Sequence, residues 1–159
     1  SDLGRAIPLY EKTLTARERV LGSDHPQTMT SQNNLAGAYR AAGDLGRAIP
    51  LYEQTLTARE RVLGSDHPDT LTSRNNLAGA YRAAGDLAQA IPLYEQTLTN
   101  SERVLGPDHP HTLTSRNNLA DAYRAAGDLA RAMSLNEQTI TDREQVHGRD
   151  QPREPRQRP

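Results

Sequence analysis

The stretch Asn75-Asn76-Leu77-Ala78-Gly79-Ala80-Tyr81-Arg82-Ala83-Ala84-Gly85-Asp86-Leu87 decides the fold. Leu77, Ala78, Tyr81 and Ala84 fall at i, i+1, i+4 and i+7, which makes one apolar stripe on a helix. Gly85 suits the left-handed residue that ends a helix. Asp86 follows at once as the cap of the next one. Two helices therefore meet across a Gly-Asp turn. The same letters stand at 33–45, and again at 117–129 with Asp121 in place of the glycine.

Asp44, Asp86 and Asp128 each precede a leucine, and 86 − 44 and 128 − 86 both give 42. The units are 1–42, 43–84, 85–126 and a partial 127–148. The first two differ only at Ser1/Gly43, Lys12/Gln54, Gln27/Asp69, Met29/Leu71 and Gln32/Arg74, which is tandem duplication. Such a chain is a quasi-one-dimensional stack, each unit burying its apolar face against its neighbours. Within a unit, helix A spans Pro68 to Ala84, opened by Asp66 as a capping carboxylate and Pro68 in the first turn. Helix B spans Leu87 to Leu105, with the stripe Leu87, Ala90/Ile91, Tyr94, Leu98 and Leu105, and Gly106 ends it. Pro92 removes one backbone hydrogen bond and predicts a slight bend near Ala88. The apolar period continues through it, so the segment still reads as one helix.

Composition excludes several classes. There is no cysteine, hence no disulfide framework or thiolate metal site. A formal net charge of −1 gives no general reason to bind nucleic acid or an acidic membrane. No apolar run approaches the ~20 residues that span a bilayer, and no signal peptide is visible, which together predict a cytoplasmic protein. Six tyrosines are the only aromatic residues, so the core must come from Ala, Leu and Tyr between thin layers. Ser65-Asp66-His67 has the letters of a hydrolase triad, but consecutive residues cannot form that geometry. His109 and His111 form an isolated pair in a loop, and no phosphate-binding glycine motif occurs. No catalytic residue, metal or cofactor is expected.

The spacing Leu77-Ala78-x-x-Tyr81-x-x-x-Gly85-x-Leu87-x-x-Ala90-x-x-x-Tyr94 resembles the tetratricopeptide repeat (TPR). The 42-residue period and the phrases DHPxT, NNLA and PLYEQTL resemble the long-helix variant of kinesin light chains. Similar repeats occur in bacterial signalling proteins. The resemblance implies an all-α, right-handed superhelical solenoid that serves as a protein-interaction scaffold, here as a module of a larger bacterial regulatory protein. The chain departs from the family where a large aromatic in helix A is replaced by Gln32, Arg74 and Arg116. The family's helix-ending proline is also absent, with Glu60 and Glu102 in its place.

In such a superhelix the A helices line the concave face. The resemblance implies groove positions Thr72, Asn75, Asn76, Gly79 and Arg82, with equivalents Thr30, Asn33, Asn34, Gly37 and Arg40, and Thr114, Asn117, Asn118, Asp121 and Arg124. Helical spacing agrees, because these positions share the side opposite Leu77, Ala78 and Tyr81. Asparagine offers donor and acceptor together and suits a peptide main chain. Gly79 costs roughly 1 kcal/mol against alanine and would leave room for another backbone. The asparagines could equally bond a neighbouring helix and set the stacking angle. The arginines would favour an acidic or C-terminal peptide.

The chain opens in helix B, so Leu3, Ile7 and Tyr10 should be partly exposed. In the last unit Ser134 and Asn136 replace proline and tyrosine, a polar drift typical of a capping repeat. Residues 149–159 hold three prolines and read as a disordered tail. Together these ends predict the C-terminal part of a longer array. Partners are then a protein or peptide in the groove or, alternatively, a second copy stacked head-to-tail.

Overall fold

The computed structural model describes residues 2–149. Seven helices follow one another: α1 (Asp2–Leu21), α2 (Pro26–Ala41), α3 (Leu45–Leu63), α4 (Pro68–Ala83), α5 (Leu87–Leu105), α6 (Pro110–Ala125) and α7 (Leu129–Arg149). The even-numbered helices are the A helices and the odd-numbered ones the B helices. Each packs on the next, and α2 touches α4 as α4 touches α6, so the units form a helix-turn-helix solenoid. The expected tail lies outside the described residues, except that Arg149 closes α7.

The A-to-B turn is built as the sequence suggests. Gly43, Gly85 and Gly127 take φ values of +79°, +80° and +81°, where a side chain would be strained. Asp86 then accepts the backbone N–H of Gln89 at 3.1 Å. The B-to-A turn differs from expectation. The cap of α4 is His67, whose Nδ1 accepts from the backbone N–H of Asp69 at 3.1 Å. Pro68 occupies the first helical position, so the residue just before it must be the cap. Asp66 instead pairs with Arg103 at 2.5 Å, one repeat further on.

Alanine makes the close approaches. Ala36, Ala78, Ala48 and Ala90 have no exposed surface. Around them pack Leu35, Leu77 and Leu119 with Tyr52 and Tyr94. A fully buried leucine contributes about 1.5–3 kcal/mol. Pro50 and Pro92 sit inside continuous helices.

The first helix shows the exposure expected of it. Tyr10 is 39% exposed, whereas its repeat equivalents Tyr52 and Tyr94 are each 2% exposed. On α7 the polar drift is incomplete: Leu129, Met133 and Ile140 all stand exposed beside Asn136.

Candidate functional site

The two asparagines of each pair divide their work between neighbouring A helices. Asn76 on α4 donates its side-chain amide to Asn33 Oδ1 on α2 at 3.1 Å. Asn118 on α6 does the same to Asn75 at 2.9 Å. The partners lie 43 residues apart, one more than the repeat, which is why the motif needs two adjacent amides. Each internal asparagine keeps one polar atom outside the ladder: Nδ2 on Asn75, Oδ1 on Asn76. Asn34 and Asn117, at the two ends, have no asparagine partner among the described residues.

The end of Arg40 lies over Gly79. A Cβ built on Gly79 would lie 2.8 Å from an Arg40 guanidinium nitrogen and 3.4 Å from the Tyr94 hydroxyl. Glycine makes room for the guanidinium of the preceding unit's arginine. Over Gly37 only the Tyr52 hydroxyl approaches, at 3.4 Å. In the third unit Asp121 takes the glycine's place and meets Arg82 at 3.8 Å and Arg124 at 2.7 Å. Arg40 has no carboxylate within ion-pair distance among the described residues. Burial raises the phenol of Tyr94 above its ordinary pKa, and Arg82 and Arg40 pull the other way. Tyr52 is raised by burial too, with Arg40 opposing.

An open pocket of about 390 Å³ is lined by Arg40, Asn75, Asn76, Gly79, Arg82, Ala83, Tyr94 and Asn118. Beside it lies a second hollow of about 470 Å³, which Asn33, Asn34, Gly37 and Arg40 share with Tyr10, Tyr52 and Asn76. The structure thus brings Asn75, Asn76, Gly79 and Arg82 together with residues of both adjoining units. Asn117, Asp121 and Arg124 stand exposed on α6, beyond the first pocket's lining. The hydroxyls of Thr30, Thr72 and Thr114 each donate to the carbonyl of the proline that opens their own helix, and none lines either pocket.

Other polar groups are spent on packing. Arg74 and Arg116 are fully buried and meet Glu60 at 2.7 Å and Glu102 at 2.8 Å. The departure from the family's aromatic and its proline is thus one compensated exchange. Tyr39, Tyr81 and Tyr123 donate to Glu11, Glu53 and Glu95, a pairing that helical periodicity within one unit did not reveal. His109 caps α6 through Nδ1, accepting from the backbone N–H of His111 at 3.1 Å. Among the described residues no helix is long and apolar enough to cross a membrane.

The tetratricopeptide-repeat family profile matches residues 1–61, 30–103 and 75–145. No curated protein sequence matches significantly. Among solved structures, a Podosopora anserina protein assigned as a kinesin light chain with nearly identical TPR-like repeats is 33% identical. That alignment covers 97% of this chain and 71% of the other, with a TM-score of 0.83. A point variant of the same protein is 35% identical over 90% of this chain and 68% of that one, at a TM-score of 0.84. BtubC (BKLC) from P. vanneervenii, 22% identical, shares the fold at a TM-score of 0.85, covering 99% of this chain and 62% of its own. With a family profile over nearly its whole length and repeats of the kinesin-light-chain-like type, the chain belongs to the tetratricopeptide-repeat family.

Proposed function

We propose that the concave face of α2, α4 and α6 docks an extended segment of a partner protein. The reading rests on one observation: three successive A helices contribute amide and guanidinium groups, and α5 the phenol of Tyr94, to a single open pocket of about 390 Å³. Donors and acceptors left over from the asparagine ladder suit the N–H and C=O groups of a peptide main chain. The tetratricopeptide-repeat scaffold serves generally in protein interaction, which agrees. Head-to-tail stacking of copies has less support. It would use the exposed apolar residues Leu129, Met133 and Ile140 of α7, which line no polar pocket of the kind the A helices form.

The test is a peptide array of random extended decamers probed with the chain and with its Ala83→Trp variant. Ala83 lines the pocket and is exposed, so tryptophan fills the groove without entering the core. The expected result is loss of peptide capture with unchanged helicity. Capture that survives Ala83→Trp would refute the groove.

A further inference from the structure

We infer that the residue at the glycine position of each A helix sets where along the groove an acidic side chain of the ligand is accepted, and that Asp121 closes the second of two repeat-related registers. This rests on the groove reading above. The two registers stand one repeat apart: each has an arginine, Arg40 or Arg82, but Gly79 becomes Asp121 and Tyr94 becomes Asn136 in the second. In the first, Arg40 lies over Gly79, with the Tyr94 hydroxyl beside it and no carboxylate among the residues that line the pocket. In the second, Arg82 faces Asp121 at 3.8 Å, and Asp121 also holds Arg124 at 2.7 Å.

An arginine without a counter-ion attracts a ligand carboxylate and can bind it through two parallel N–H groups. One already facing an internal carboxylate gains little and sets that carboxylate against the incoming one. The aspartate at 121 therefore makes the two registers unlike for an incoming carboxylate and the groove directional. An acidic residue of the bound segment sits at the α2–α4 register and is refused at α4–α6.

The experiment uses capped decamers of alanine and serine carrying one glutamate, or glutamine as control, at each position in turn. The chain is compared with the double variant Gly79→Asp/Asp121→Gly. Gly79→Asp displaces only the flexible end of Arg40 and gives it an internal counter-ion. The expected result is a glutamate preference of about tenfold over glutamine at one position, equivalent to ~1.4 kcal/mol. In the double variant that preference moves by about three residues, the reach of an extended chain across ~10 Å. Binding without any glutamate preference, or a preference the swap does not move, would overturn the inference and leave the groove standing. Binding of none of these peptides, nor of the random decamers above, would overturn both. The Ala83→Trp control shows separately whether capture occurs in the groove.

Discussion

Asn76 donates its side-chain amide to Asn33 Oδ1 at 3.1 Å, and Asn118 stands in the same relation to Asn75 at 2.9 Å. Two poor helix formers are kept side by side because one looks back a unit and the other looks forward. The bond fixes the offset between A helices and so the curvature of the face they form. Asn75, Asn76 and Asn118 also line the pocket of about 390 Å³.

The ladder has an internal control. Asn34 occupies the Asn76 position of the first unit but has no asparagine partner among the described residues. Substituting alanine at 34, 76 and 118 gains the same helix propensity each time, while only Asn76→Ala and Asn118→Ala lose a bond. Each of those two should be about 1 kcal/mol less stable than Asn34→Ala, measured by urea unfolding. Equal effects at all three positions would show that the ladder contributes nothing to stability.

Glu60 and Glu18 form a second pair of near-identical sites. Glu60 faces the buried guanidinium of Arg74 at 2.7 Å, whereas Glu18 faces the neutral Gln32 at 3.4 Å. Glu60→Ala leaves a buried cation without its counter-ion and should cost about 1–2 kcal/mol. Glu18→Ala should stay within about 0.5 kcal/mol. The same denaturant titration distinguishes them.

Much of this architecture is legible from the letters. Gly-Asp turns, the Leu-Ala-Tyr stripe and the 42-residue period locate all seven helices of residues 2–149. The cap at His67 was also within reach, since Pro68 at the first helical position marks its predecessor. Relations between units are harder to read. Asn76 to Asn33, Arg40 over Gly79 and Arg103 to Asp66 depend on the offset between stacked helices, which periodicity within one helix does not carry. One signal was present: glycine becomes aspartate only at 121, three residues before Arg124, where a carboxylate can reach an arginine on its own helix face.

The third unit lacks a bond that the second has. Arg59 donates to the Asp69 carbonyl and to Ser73 Oγ, both at 2.9 Å. Its equivalent Ser101 is buried with an unpartnered hydroxyl, and Ser115 turns instead to the carbonyl of His111 at 3.0 Å. Ser101→Arg combined with His111→Asp recreates the second unit's arrangement. A gain of about 1 kcal/mol, or roughly 2–4 °C in Tm, is expected by calorimetry. A lowered Tm would mean that the junction has closed around the serine.

Alkaline pH should loosen the units through their tyrosines. The hydrogen bond that Tyr81 donates to Glu53 raises its phenol to about 12, with burial adding to it. A folded pKa above the unfolded value near 10 means the contribution is complete below pH ~10. It is lost as pH rises through about 12. Glu53→Gln should bring the ionisation of Tyr81 back toward 10, read by ultraviolet absorbance. An unchanged titration would place the cause elsewhere.

The groove itself is tested most directly by nuclear magnetic resonance, at 17.5 kDa a tractable size. The measurement is a titration of the isotope-labelled chain with the tightest decamer from the array. The expected result is that the largest shifts fall on the side-chain amides of Asn75, Asn76 and Asn118 and on backbone amides near Gly79 and Ala83, with α1 and α7 nearly still. Shifts concentrated on the odd-numbered helices, or on the exposed apolar residues of α7, would contradict a concave binding face.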